Sequence, residues 1–135
     1  MQLLIMKPAL PRKLLVEDDT DDQYFFREAL SLLSPALSCQ IAENGVEALK
    51  LLKELPLFDI IFMDINMPKM NGIECLQVLK SNDSYKNIPV VILSTSNDKT
   101  YIERCKILGA TFYFTKPIVP FELLKYLQLI FKKLF

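Results

Sequence analysis

The chain has 135 residues, 51% of them hydrophobic and 24% charged, a length and balance that fit one globular domain and exclude a disordered or membrane-embedded chain. Sixteen Lys and Arg against sixteen Asp and Glu leave no net charge, which removes the electrostatic basis for a nucleic-acid binder. There is no histidine, so no Ser-His-Asp triad, His-ligated metal or phosphohistidine can be built from this chain alone.

Residues 1–11 hold Pro8 and Pro11 and an apolar run from Leu3 to Met6, too short for a signal segment or a membrane span. They read as a poorly structured leader ahead of a domain over 12–135. Leu14, Leu15 and Val16 form a first short strand, which ends in an acid block: five of the six residues 17–22 are Asp or Glu. Helical spacing of Tyr24, Phe25, Ala29, Leu32 and Leu33 predicts a helix over 21–34, with Asp21 and Asp22 in its first turn, where acids suit the positive end of the helix dipole. A second strand is predicted over 37–42. The Asn44-Gly45 turn then leads into a helix with Val46, Leu49 and Leu52 on one side and Lys50 and Lys53 on the other, stopped by Pro56.

Ile60 to Met63 is a continuous apolar run closed by Asp64, the pattern of a central strand buried on both faces. A loop with Pro68 and Gly72 precedes a helix over 73–80. A fourth strand covers 90–93, a helix 99–108, and a fifth strand 111–115. Lys116-Pro117 breaks that strand, and Pro120 stands where the first position of a last helix, 121–134, falls. Five strands alternating with five helices predict an α/β fold, a doubly wound five-stranded parallel sheet of order 2-1-3-4-5 with helices on both faces. Cys39, Cys75 and Cys105 have neither disulfide nor zinc spacing and read as reduced, buried thiols of a cytoplasmic protein.

In such a sheet ligands bind outside the carboxyl ends of the strands, where the strand order reverses. Those ends carry Glu17, Asp18 and Asp19 on the first strand, Asp64 on the third, Ser94 and Thr95 on the fourth and Lys116 on the fifth. Glu17, Asp18 and Asp64 are expected to converge. Solvated loop acids are the plain alternative for any one of them, but three together repel in a cleft, and a hard Mg²⁺ ion offsets that repulsion. A bare phosphate cradle needs free backbone amides and glycines after the first strand, and this chain places carboxylates there. Asp64 can then serve as a nucleophile toward phosphorus, with Lys116 and Ser94 placed to bind phosphoryl oxygens.

The motifs LLVEDD (14–19), DIIFMDINMPKMNG (59–72), PVVILST (89–95) and YFTKP (113–117) resemble, in order and interval, the receiver domain of two-component response regulators, over about residues 12–135. The resemblance implies a flavodoxin-like, CheY-like fold with Asp64 as the phosphoacceptor. It implies Glu17 and Asp18 as the acidic pair serving Mg²⁺, Asp18 as the direct ligand, with Asp64 and the backbone carbonyl of Asn66 completing the site. It makes Ser94 the switch hydroxyl, Tyr113 the aromatic switch, Lys116 the family lysine, and Lys116-Pro117 a cis peptide. Asp21 and Asp22 read as helix-opening acids rather than metal ligands. Thr95 stands where the family usually has Ala, and Asn66 and Ser96 match positions that tune hydrolysis of the acyl phosphate.

The functional expectation is a single-domain response regulator in phosphorelay signal transduction. It accepts a phosphoryl group on Asp64 from a sensor histidine kinase or histidine phosphotransfer protein, loses it slowly by itself, and is not a turnover enzyme. The switched surface acts on a downstream protein target that the sequence does not name. The apolar content from Phe121 to Phe135 wraps beyond one helical face, which suggests a homodimer or partner surface; a greasy terminal helix packed on the leader is the alternative. No nucleic-acid binding and no membrane insertion are expected. A second class is an Asp-nucleophile, Mg²⁺-dependent phosphatase or phosphotransferase, as in haloacid-dehalogenase-like folds. Those place the nucleophile on the first strand, whereas the best-isolated acid here is Asp64 on the third. A third is a scaffold that keeps only the fold.

Overall fold

The computed structural model describes residues 11–34, 38–55 and 57–135. The leader, apart from Pro11, the start of the second predicted strand at Leu37, and Pro56 lie outside the described residues. In chain order the elements are β1 (Lys13–Val16), α1 (Thr20–Leu33), β2 (Gln40–Ala42), α2 (Gly45–Glu54), β3 (Ile60–Met63), α3 (Gly72–Ser81), β4 (Val90–Ser94), α4 (Lys99–Leu108), β5 (Phe112–Thr115) and α5 (Pro120–Leu134). All five strands pair in parallel in the order β2-β1-β3-β4-β5, as the alternation of elements predicts.

Parallel strands covered by helices on both faces are nearly continuous apolar runs, and β1, β3 and β4 are buried throughout, with polar residues only at their ends, Lys13 and Ser94. Successive side chains point to opposite faces, so each strand feeds two cores. Leu14, Val16, Ile61, Met63, Val90 and Ile92 pack with residues of α2, α3 and α4, among them Leu52, Leu76 and Cys105. Leu15, Ile60, Phe62, Val91 and Leu93 pack on the other face with Phe26 and Leu30 of α1 and Leu127 and Ile130 of α5. Phe62 anchors that second core, tilted at 59° against Phe26 with ring centroids 4.8 Å apart and edge-on to Phe131 at 6.5 Å.

Local chemistry sets the helix starts. The carboxylate of Asp19 accepts from the Asp22 amide at 3.0 Å, so α1 opens at Thr20, and Asn44 caps α2 by accepting from the Glu47 amide at 2.9 Å. Asn71 and Glu74 form a reciprocal capping box at the start of α3. Gly109 closes α4 at φ 103°, a conformation that costs a residue with a Cβ. Pro120 takes the first position of α5, where its missing N–H loses no helical bond. The pairing of β1 with β3 brings their carboxyl ends side by side, with Val16 in register with Met63.

Candidate functional site

Asp64 follows directly on buried β3, and its amide donates to the carbonyl of Val16 at 3.0 Å, which joins the tips of the two central strands. Its side chain is nearly buried. Oδ1 accepts the amide of Ile65 at 2.8 Å, whereas Oδ2 faces Lys116 at 3.5 Å. Behind it, α3 starts so close that a Cβ on Gly72 would stand 2.1 Å from the carbonyl oxygen of Asp64. The Gly72 amide donates to the carbonyl of Ile65 at 2.8 Å. The glycine is therefore needed for close backbone approach, and it seats the loop that carries Asp64.

Glu17 is buried at the end of β1, and its amide donates to the carbonyl of Ala42 at 2.9 Å. Its Oε1 accepts from Nζ of Lys116 at 2.5 Å, and Oε2 accepts from the Asp19 amide at 3.3 Å. Asp18 is exposed beside it. Carboxylate oxygens of Glu17, Asp18 and Asp64 all lie within 4.8 Å of one another. Three hard oxygen donors at that spacing fit a small divalent cation. Asn66 lies two residues past Asp64, exposed in the loop toward α3.

Lys116 reaches into this group from the end of β5, where its amide donates to the carbonyl of Ser94 at 2.7 Å. Its ammonium also donates to Oδ2 of Asp22 at 2.8 Å. Burial works to lower its pKa, but the bonds to Asp22 and Glu17 and the charge of Asp64 outweigh that and hold it well above the usual lysine value. Burial pushes Glu17 up to about 7, against the pull of Lys116, and raises Asp64 as well. Nearly buried carboxylates thus share a single ammonium, and the pocket is short of positive charge.

Ser94 ends β4 and is fully buried, with Oγ accepting the amide of Ser96 at 3.1 Å. The register of Met63 with Ile92 places it one residue beyond the level of Asp64. Tyr113, on β5 beside Ile92, donates its hydroxyl to the carbonyl of Ser96 at 2.7 Å, so the loop after β4 is held from both sides. Beside the charged cluster a partly open pocket of about 140 Å³ is lined by Phe25, Phe26, Leu93, Ile118 and Leu123 together with Glu17, Asp22, Asp64 and Lys116.

One expectation is overturned and one residue gains a second role. Among the described residues no peptide bond is cis, so Lys116-Pro117 is trans, the isomer favoured by about 0.5–1 kcal/mol before proline. Asp22, read from its position as a helix-opening acid, is a direct partner of Lys116. Its place in the first turn of α1 gave a sufficient local reason for an acid, and nothing nearby in the chain signals a lysine 94 residues away.

A parallel 2-1-3-4-5 sheet with an acidic pocket at its switch point and a lysine reaching in from β5 defines the receiver class of signalling domain. The family model described as "Response regulator receiver domain" matches residues 14–128, and the chain belongs to that family. It is 37% identical over 112 residues to the two-component response regulator ORR11 of Oryza sativa, covering 83% of this chain and 75% of the relative. Among solved structures it is similar to the phosphorylated cyanobacterial phytochrome response regulator RcpA, with a TM-score of 0.82 and 31% identity over 90% of this chain and 91% of that one. The Mn²⁺-bound response regulator Rcp1 gives a TM-score of 0.76 and 29% identity at the same coverage of both chains. Receiver domains act with histidine kinases or phosphotransfer partners. Among the described residues no helix is long and apolar enough to cross a membrane.

Proposed function

We propose that this receiver takes a phosphoryl group on Asp64 from a phosphohistidine of a kinase or phosphotransfer protein, and that the change in charge switches a protein-binding surface. The observation that carries the reading is the Asp64 carboxylate, held through Oδ1 by the Ile65 amide with Oδ2 turned to Lys116. A carboxylate oxygen forms the new O–P bond as the donor's N–P bond breaks, the electron pair staying on the imidazole nitrogen. These 135 residues hold no histidine, so the phosphohistidine is supplied from outside this receiver domain. Lys116 and Ser94 offer an ammonium and a hydroxyl to the arriving oxygens, and the dianion is a stronger acceptor than the carboxylate it replaces.

Mg²⁺ fits Glu17, Asp18 and Asp64, with the Asn66 carbonyl as a further ligand, and when bound it supplies screening between the two anions. The description of Rcp1 as a Mn²⁺-bound form supports a divalent ion for a related chain. Tyr113 couples the site to the surface of α4, β5 and α5, where Ile107 is 80% exposed and Phe121 59%. That surface is our choice for the downstream partner or a second copy of the chain, in the cytoplasm, where the free Cys39, Cys75 and Cys105 stay reduced. One phosphoryl group per chain, not catalytic turnover of phosphate esters, is the expected chemistry.

The test is incubation with a small acyl phosphate and Mg²⁺, followed by intact mass. A single phosphoryl adduct that is absent from Asp64→Asn is expected. No adduct from either the small donor or a phosphorylated histidine protein overturns the reading, and multiple turnover of phosphate esters that survives Asp64→Asn would favour a phosphatase instead.

A further inference from the structure

Lys116 has three N–H donors and three carboxylates around it, but the distances are unequal: 2.5 Å to Glu17, 2.8 Å to Asp22 and 3.5 Å to Asp64. The ammonium is thus drawn toward the first turn of α1, away from the oxygen it faces on Asp64. We propose that Asp22 is a positioning residue that competes with Asp64 for the Lys116 ammonium and so sets how readily the site accepts and keeps a phosphoryl group, an inference that rests on the reading of Asp64 as phosphoacceptor.

When one carboxylate charge on Asp64 becomes a phosphoryl dianion, the ammonium gains a stronger acceptor and shifts toward it. To do so it gives up one of its short bonds. The side chain of Glu17 is 4% exposed and a buried carboxylate loses heavily when its counter-ion leaves, whereas that of Asp22 is 44% exposed and water can replace the ammonium there. Asp22 is therefore the partner that lets go. Its carboxylate has no capping duty, since Asp19 caps α1 and Asp22 contributes only its amide to that cap. The side chain is free to act on Lys116 without fixing the helix.

The experiment compares the wild-type chain with Asp22→Asn, Asp22→Glu and Asp21→Asn at saturating acyl phosphate and Mg²⁺. It follows adduct formation and, after donor removal, adduct loss by intact mass. Asp21 is exposed one residue away and has no bond to Lys116, so Asp21→Asn removes the same charge without the contact. Asp22→Asn is expected to raise the first-order rate of adduct formation and lengthen adduct lifetime by about two- to fivefold, the span of a partly exposed ion pair. Asp22→Glu restores wild-type values and Asp21→Asn leaves them unchanged. Equal behaviour of Asp22→Asn and Asp21→Asn, or slower formation in Asp22→Asn, overturns the proposal while leaving Asp64 as acceptor intact. Absence of any wild-type adduct instead overturns the reading of Asp64 and this inference with it.

Discussion

Nζ of Lys116 stands 2.5 Å from Oε1 of Glu17, an ion pair between residues 99 apart in sequence that closes β5 onto β1. Without the ammonium, Glu17 and Asp64 face each other unscreened, and both are already raised by burial. Lys116→Ala should therefore destabilise the metal-free protein by about 1–3 kcal/mol, less than the ~3–5 kcal/mol of a broken buried pair because Glu17 takes up a proton. A carboxylate raised in the fold binds more protons folded than unfolded, so stability falls as pH rises from about 4.5, its unfolded value, through about 7. The urea midpoint of Lys116→Ala should lie closer to wild type at pH 5 than at pH 8. An equal deficit at both values would show that lost packing, not charge, is responsible.

Gly72 and Gly45 both open helices, and both meet neighbours where a Cβ would go, with different consequences. At Gly72 the obstacle is the backbone carbonyl of Asp64, 2.1 Å away, which cannot move without displacing the site. At Gly45 it is the side chain of Met70, 2.7 Å away, which can swing aside. Gly72→Ala should cost about 2–3 kcal/mol by overpacking and sharply reduce phosphoryl uptake, whereas Gly45→Ala should cost under about 1 kcal/mol and keep uptake. Denaturant midpoints and intact mass check the ranking.

Tyr113 holds the loop after β4 through one bond from its hydroxyl to the Ser96 carbonyl. Tyr113→Phe keeps the ring packing and removes that bond, for an expected loss of about 0.5–1.5 kcal/mol. Faster amide exchange over residues 94–98, with β3 unchanged, is the local signature. Uniform acceleration across the sheet would mean that the hydroxyl supports the fold rather than the loop.

Burial pushes the Cys75 thiol up to about 12. Above pH 9 the unfolded chain releases this proton while the native chain keeps it, so stability is full below the unfolded value and falls as pH rises toward 12. One proton corresponds to ~1.4 kcal/mol per pH unit. Urea midpoints of the wild type at pH 7, 9 and 10 should decline more steeply above 9 than those of Cys75→Ala, whatever that variant's offset at pH 7. Parallel curves would show that Cys75 is not a source of the alkaline loss.

Apolar runs and turn residues were sufficient to place all ten elements, because each depends on contacts short in sequence: alternation in a strand, an Asn or Asp one step before a helix, a proline at its start. Boundaries shift where capping decides them: α1 opens at Thr20 behind the Asp19 cap rather than at Asp21. At the other kind of element, β2 begins at Gln40, leaving Ser38 and Cys39 of the expected strand outside it. The β2-β1-β3-β4-β5 order was likewise legible, since alternating strands and helices leave few ways to cover a parallel sheet. The convergence of Glu17, Asp18 and Asp64 follows from that order and the strand ends.

The sequence by itself determined the strand tips, and so the convergence of Glu17, Asp18 and Asp64, and the missing histidine. Only the tertiary structure decided how the one lysine among them divides its bonds. Asp22 faces Lys116 because the first turn of α1 packs beside the loop after β5, and at 2.8 against 3.5 Å a small shift decides which carboxylate holds the ammonium. Such a preference depends on ångström-scale separations and burial, which residue types and spacing do not encode.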